Sequence, residues 1–420
     1  MSSTLRVGFV GAGFIANFQL EAIRQIRNME VAGVTSRTPA HAEALGAQVR
    51  ESGIGAGRVY GSIGEMAHAV DAIALYAPNY LRVAMMEEIV AAVNDGAALK
   101  GVICEKPLGR NVAEARRLVE LADAANLPTA YFENQLFMKP LRTQRAQLAP
   151  QMRAMGPPSL VRSSEEHGGP HEAWFWDPTR QGGGVLSDMG CHSIAVGWYA
   201  LTPLDKPPLF LEPVSVTAEV ALLKWGLPQW RAVLQEQFGI DYAQTPAEDF
   251  ATGVITYRNP ESGQLVKAQF TNSWMFEKQG LRLLMDGMGP GYAFEVNTLA
   301  SSLQVFIGDA AADAIADAEK ALEKSTASRG LLTVHHNEAD LYGYTDENAD
   351  AAEAFLAGRD AMLDWRYGLE ITRLVTAAYM SAEQGRTVDL TDVAVQHELE
   401  SYVPLIQQGR GREVLHVVEA

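Results

Sequence analysis

Cysteine is scarce in this chain: Cys104 and Cys191 are the only two in 420 residues. Two isolated thiols in apolar or glycine-rich runs make neither a disulfide framework nor a zinc-ligand pattern, and imply reduced thiols in a cytoplasmic protein. Long apolar runs are missing as well. No stretch reaches the roughly 18 apolar residues that a membrane-spanning helix needs. The first apolar run begins at Leu5, leaving no room for a secretory signal. Basic residues are outnumbered, with 34 Lys and Arg against 51 Asp and Glu and a formal charge of −17. That sign repels a phosphate backbone, so nucleic acid is not an expected partner. Small ligands, whose pockets can be locally basic, stay admissible. There is no internal repeat and no low-complexity tract.

What is present is an ordinary globular composition, 47% hydrophobic and 20% charged, long enough for two domains with separate cores. Over the first third, apolar runs alternate with helical patterns: Leu5–Val10, Val31–Thr35, Val59-Tyr60, Ala72–Tyr76, Val102–Cys104 and Thr129–Phe132 are the expected strands. Alternation of this length builds a doubly wound parallel sheet. After Pro140 the pattern changes. A helical stretch, Leu141–Met155, leads to a strand at Ser159–Ser164, and a helix is expected from about Val185 to Leu201. From Val214 to Ile307 the runs are of β type without intervening helices, and Asn259-Pro260-Glu261-Ser262-Gly263 is a hairpin connection. Asp309–Lys324 is expected to be a solvated helix, Ser325–Thr345 a long loop carrying His335-His336, and Asn348–Leu356 and Tyr367–Glu383 helices. The expected organisation is a doubly wound α/β domain, residues 1–138, followed by an α+β domain, residues 139–420, with an antiparallel or mixed sheet.

The strand Leu5–Val10 runs into Gly11-Ala12-Gly13-Phe14-Ile15-Ala16 and then a helical pattern. Strand, glycine turn and helix in that order grip a pyrophosphate. Gly11 permits the turn, Gly13 lets backbone approach the anion, Phe14 and Ile15 open the helix, and Ala16 lets it pack on the strand. The second strand ends in Thr35-Ser36-Arg37, with no acid to bind ribose hydroxyls. Ser36 and Arg37 suit a 2′-phosphate, so NADP is slightly favoured over NAD; a solvated Arg37 is the alternative. Ala77-Pro78-Asn79 ends the fourth strand, where Asn79 either donates to ribose or nicotinamide or simply starts a helix.

Cys104-Glu105-Lys106-Pro107 ends another buried strand. An ammonium there can stabilise a developing alkoxide. In Gly182-Gly183-Gly184-Val185-Leu186-Ser187-Asp188-Met189-Gly190-Cys191-His192, the acid and the imidazole lie one helical turn apart. They form either a proton-handling pair or a chance pair on an ordinary helix. The three glycines allow close approach of backbone to a ligand.

These segments together resemble the glucose–fructose oxidoreductase/inositol dehydrogenase (Gfo/Idh/MocA) family. The resemblance rests on GAGFIA, the APN after strand four, the EKP with Leu108 behind it, and GGGVLSDMGCH. Gly368-Leu369-Glu370, Ala377–Ser381, Gly385-Arg386 and Val388-Asp389-Leu390 add the family's C-terminal helix and closing strand. The resemblance implies hydride transfer between nicotinamide C4 and a carbinol carbon of a sugar, polyol or glycoside. In it His192 is the general base, Asp188 orients it, and Lys106 positions the reacting oxygen; Glu105 and Lys106 also border the cofactor. The bond before Pro107 can be cis. The resemblance also implies a Rossmann dinucleotide-binding first domain and a second domain with a large, mostly antiparallel open sheet, whose exposed face would join a homodimer or homotetramer. Arg82 stands where the family often has histidine, and the C-terminal half is extended.

The loop from Glu165 to Asp177 precedes the glycines. Trp174 and Trp176 offer flat faces to sugar C–H groups, or else plug the domain junction. His167, His171 and Arg180 are expected to bind hydroxyls. His167 and His171, with Glu165 or Glu166, lack a regular metal-ligand spacing, so no metal is expected. Two further functions stay open: bond cleavage through transient oxidation by a tightly held cofactor, and a non-catalytic sugar or dinucleotide sensor.

Overall fold

The apolar runs of the first third form a six-stranded parallel sheet in a computed structural model that describes residues 4–277, 280–300, 304–307, 330–333 and 337–418. Its strands are β1 (Leu5–Val10), β2 (Met29–Thr35), β3 (Arg58–Val59), β4 (Ala72–Leu75), β5 (Gly101–Glu105) and β6 (Thr129–Phe132), in spatial order β3-β2-β1-β4-β5-β6. β4, β5 and β6 are buried along their whole length, because helices cover both faces of a parallel sheet. This is the doubly wound architecture the alternation predicts.

The chain divides into two units: Met1–Lys139 with Ala339–Thr372, and Pro140–Glu338 with Arg373–Ala420. A purely sequential division puts residues 339–372 in the second domain, but they pack with the first. The helix Tyr344–Leu356 buries Ala351, Ala352 and Phe355 in the same core as Val7, Phe9 and Ile103. Just after it, the amide of Tyr131 donates to the carbonyl of Leu363 (2.8 Å), and that of Ala361 to the carbonyl of Thr129 (3.1 Å). Residues 361–363 thereby cover the edge of β6, which would otherwise expose unpaired backbone.

The second unit carries a seven-stranded sheet of β7 (Leu160–Glu166), β8 (Glu212–Ala221), β9 (Phe250–Arg258), β10 (Leu265–Ser273), β11 (Arg282–Gly289), β12 (Tyr292–Asn297) and β15 (Val388–Asp389). The order is β12-β11-β7-β10-β9-β8-β15, and every pairing is antiparallel except β7 with β10. Along β10, Val266, Ala268 and Phe270 are buried while Leu265, Lys267 and Gln269 face out. The buried face receives the helix Cys191–Leu201, where Gly197 leaves the room that Ala268 occupies. The β9–β10 hairpin is closed as predicted, with the Asn259 side chain accepting from the amides of Glu261 and Ser262.

Two expectations need correction. The β region does contain a helix, Pro228–Phe238, between β8 and β9. Only Leu234 of it is buried, so its apolar periodicity is faint; Pro228 at its first turn was the usable signal. Within the expected loop 325–345, Gly330–Thr333 (β14) pairs with Gln304–Ile307 (β13), and Glu338–Leu341 is helical. Asp309–Lys324 and His335-His336 lie outside the described residues. Among the described residues no helix is long and apolar enough to cross a membrane.

A methyl group added at Gly101 would sit 2.6 Å from the Phe355 ring. Gly101→Ala should therefore cost about 1–3 kcal/mol in urea unfolding, and Phe355→Leu in the same chain should recover most of that loss. An unaltered midpoint for Gly101→Ala would contradict this packing.

Candidate active site

In the first unit the predicted cofactor residues gather at the carboxyl ends of β1, β2, β4 and β5. Gly11 has φ +106°, and a Cβ there would lie 2.9 Å from the amide nitrogen of Ala77. The turn is thus wedged against the chain leaving β4, and only glycine fits. Gly13 starts the first helix, α1 (Phe14–Ile23). No side chain caps that start and its first turn holds no acid. Nothing lies within 4 Å of where a Gly13 Cβ would be. A helix start with no side-chain cap and open space before it fits a dinucleotide pyrophosphate. Phe14 and Ile15 are partly exposed there. At the end of β2, Ser36 is half-buried and Arg37 exposed. After β4, Pro78 precedes a short 3₁₀ turn whose first residue, Asn79, is buried.

β5 delivers Glu105, Lys106 and Pro107, and the Lys106–Pro107 bond is cis. Arg82, in the place of the family's histidine, is 3% exposed. Its guanidinium donates to the carbonyls of Lys106 (3.4 Å), Pro107 and Leu108 (3.5 Å). The substitution therefore has a structural role: a forked cation gathers three consecutive carbonyls of the lysine loop.

The first unit also holds three buried carboxyl groups, Glu105, Glu133 and Glu347. Gln19, fully buried on α1, donates to Glu105 (2.8 Å) and to Glu347 (3.1 Å), and accepts from Asn348. Burial raises Glu105, opposed by its bond to Gln19 and by the Lys106 and Arg82 charges. Burial and the neighbouring Glu105 hold Glu347 well above the usual carboxylate range. Burial pushes Glu133 up to about 8 although the charge of Lys106 pulls it down. None of Gln19, Glu133 or Glu347 was predicted. A polar residue at a core-facing position of α1 was the one local signal.

In the second unit the expected regular helix Val185–Leu201 opens instead with a turn of π-helix, Leu186–Gly190, before the α-helix Cys191–Leu201. Asp188 is in that turn and His192 in the first α-helical turn; both are buried. Such wide turns recur at functional sites. An imidazole approaches Asp188 from another segment: His167, just beyond β7, brings Nε2 to 4.0 Å from its Oδ2. His167 Nδ1 accepts the amide of Gly169 at 3.0 Å, which puts the proton of a neutral ring on Nε2, toward the carboxylate.

The glycine triplet is explained from within the chain. A Cβ on Gly183 would fall 2.0 Å from the Tyr379 hydroxyl, and one on Gly184 2.1 Å from the Glu248 carbonyl oxygen. The close approach expected of a ligand is thus made by Glu248 and Tyr379. Burial raises Glu248 to about 7, opposed by the hydrogen bonds it accepts.

The aromatic loop divides. Trp176 is 1% exposed, packed against Trp225 (4.7 Å), Trp274 (5.1 Å) and Tyr242 (5.6 Å) between ring centroids, with its N–H donating to the Pro170 carbonyl. It is a core residue of the second unit, a correction to the sugar platform expected from its composition. Trp174 and His171 are half-buried, and Arg180 is exposed with Nε 3.2 Å from Asp177.

Two family profiles match parts of the chain. One described as "Oxidoreductase family, NAD-binding Rossmann fold" matches residues 5–131, and a GFO/IDH/MocA C-terminal domain matches residues 144–288. A D-apiose dehydrogenase of Rhizobium rhizogenes is 24% identical over 393 residues, spanning 92% of this chain and 97% of its own. Among solved structures, GenD2 of gentamicin A biosynthesis, in complex with NAD, is 21% identical with a TM-score of 0.71, covering 93% of this chain and 97% of its own. A myo-inositol dehydrogenase from Corynebacterium glutamicum is 19% identical with a TM-score of 0.66, covering 93% and 100%. These two structures speak for the fold.

Folded Glu133 keeps a proton that the unfolded chain releases above its ordinary value of 4.5. Its contribution to stability is whole below that value, declines as pH rises, and is gone above about 8. Glu133→Gln, uncharged throughout, should therefore gain on the native protein in melting temperature from pH 5 to 8 and no further above. A difference that does not vary with pH would refute the buried neutral carboxyl.

Proposed function

The chain belongs to the Gfo/Idh/MocA family of NAD(P)-binding oxidoreductases, and from that membership we propose that it transfers a hydride between nicotinamide and a carbinol carbon of a sugar, polyol or glycoside. The observation that carries the proposal is the occurrence in one chain of the open glycine turn at α1, Lys106 at the end of β5, and buried Asp188 and His192 in the turn that starts the helix Cys191–Leu201. The name of the D-apiose dehydrogenase relative supports a carbohydrate-like substrate.

When bound, the nicotinamide supplies the hydride acceptor or donor. The residues handle the proton and the oxygen. His192 takes the hydroxyl proton during oxidation, and Asp188 holds the imidazole in the tautomer that can accept it. Lys106 donates to the reacting oxygen and stabilises negative charge as the O–H bond weakens. Arg82 fixes the carbonyls around Lys106, so the ammonium is presented from a held backbone. His167, His171, Trp174 and Arg180 are assigned to hydroxyl and C–H contacts of the substrate. Gly11, Gly13, Phe14, Ile15, Pro78, Asn79 and Glu105 are assigned to the dinucleotide.

For the adenosine end, Ser36 and exposed Arg37, with no acid beside them, favour a 2′-phosphate. Self-association is assigned to the open face of the second sheet, where Leu265, Lys267 and Gln269 point outward.

Lys106→Ala and His192→Ala should each lower kcat by on the order of 10²–10⁴-fold while binding of reduced cofactor, followed by fluorescence titration, is retained. Near-native turnover of either variant would remove its role. Separately, kcat/KM should be higher with NADP than with NAD, and Arg37→Ala should erase that preference. A preference for NAD that is unchanged in Arg37→Ala would reverse the cofactor assignment.

A further inference from the structure

The N-terminal turn that carries Asp188 and leads into His192 is held in a way that no ordinary helix start requires. The amide of Asp188 donates to the carbonyl of Gly184 (3.1 Å), so Gly184 is where the intrahelical bonds begin. The amides of residues 184–187 are then the ones left without an acceptor inside the helix. Most helices satisfy one or two with a local Ser, Thr, Asp or Asn and leave the rest to water. Here all four are buried and all four are met by two residues distant in sequence.

Glu248, in the connection that enters β9, accepts from Val185 N–H with its backbone carbonyl (3.0 Å). Its carboxylate accepts from Gly184 N–H (3.0 and 3.1 Å to its two oxygens) and from Leu186 N–H (3.0 Å). Tyr379, on the helix Trp365–Gln384, accepts from Gly184 N–H and Ser187 N–H (3.2 Å each) and donates its own proton to Glu248 Oε1 (2.6 Å). Glu248 is 0% and Tyr379 1% exposed. Gly183 and Gly184 are the residues that let this carboxylate and phenol come so near, as the overlap of any added Cβ shows. The next residue, Asp249, accepts from the amides of Leu223, Lys224 and Trp225 (2.7, 2.8 and 2.7 Å), so Glu248 is anchored from its own side.

We propose that Glu248 and Tyr379 are positioning residues of the oxidoreductase: a carboxylate–phenol clamp that sets where the helix begins, and through that start sets the direction in which Asp188 and His192 project. The proposal rests on the roles given above to Asp188 and His192. A shift of helix start by one residue rotates every following side chain by about 100°, which would carry the Asp188 carboxylate away from His167 and turn the His192 imidazole to a different side of the helix. Neither clamp residue touches the substrate in this account. Each acts through the turn it holds, and an anion at a helix start is favoured by the aligned peptide dipoles.

The test uses the full chain and two readouts. Tyr379→Phe removes the hydroxyl and little else. Tyr257→Phe, which removes another fully buried hydroxyl in the same unit, is the control. Hydrogen exchange followed by mass spectrometry should rise at least tenfold in a peptide spanning 182–192 of Tyr379→Phe, and remain native there in Tyr257→Phe. With a polyol that the native enzyme oxidises, Tyr379→Phe should lose tenfold or more in kcat while cofactor Kd stays within twofold of native. Glu248→Gln, which keeps one acceptor oxygen, should retain more turnover than Glu248→Ala. Faster exchange with unchanged kcat would overturn the positioning role, and native exchange in Tyr379→Phe would overturn the clamp itself. If the native protein oxidises no polyol, the sugar-oxidation proposal fails by that result, and the clamp is decided by the exchange measurement alone.

Discussion

A helix that starts in a loop presents backbone N–H groups with no acceptor inside the helix, and burying them unpaired is costly. The two helix starts that carry the proposed site residues meet that constraint in opposite ways. At α1 the glycine turn is left uncapped and free of acid, with open space before Gly13. At the second start, amides 184–187 are closed from within by Glu248 and Tyr379. The open start leaves room for the dinucleotide anion proposed above. The closed one has a carboxylate of its own, Glu248, which in the proposed reading holds the turn as a mount for Asp188 and His192.

Burial of charge is the second theme. Around Lys106, Glu105, Glu133 and Glu347 are all removed from water, and desolvation raises each of them. Carboxyl groups so placed tend to keep a proton, donate as well as accept, and spare the site the repulsion of several anions. Gln19 joins two of them through one amide group, and Arg82 gathers the carbonyls of the lysine loop. The polar network fixes the backbone on either side of the ammonium, because a buried donor or acceptor has few alternative partners.

Much of the fold was legible before any coordinates. The strand runs of the first third, the glycine turn, the β9–β10 hairpin and the helices Tyr344–Leu356 and Trp365–Gln384 all appear close to where periodicity and turn chemistry put them. The helix Pro228–Phe238 escaped because a helix burying little more than Leu234 has almost no apolar stripe to detect. Trp176 suggested a binding surface by composition, yet an indole is equally suited to a core, and only its neighbours Trp225, Trp274 and Tyr242 settle which. Of the candidate site residues, Lys106 stood out as a lysine ending a buried strand before a proline, and Asp188 and His192 as an acid and an imidazole one helical turn apart after three glycines. Glu248 and Tyr379 gave no comparable sign, being an acid before a strand and a tyrosine on an apolar helix face.

The order of residues by itself determined the local matters: which segments are strand or helix, where the chain must turn, and which titratable groups lie next to flexible backbone. These follow from steric limits and side-chain periodicity that act over a few residues. Only the tertiary structure decided that residues 339–372 complete the first unit, that the first turn bearing Asp188 is wide, and that an acid at 248 and a phenol at 379 account for glycines at 183 and 184. Those outcomes are set by hydrogen bonds and packing between segments tens to hundreds of positions apart, and such pairings leave no mark on either segment alone.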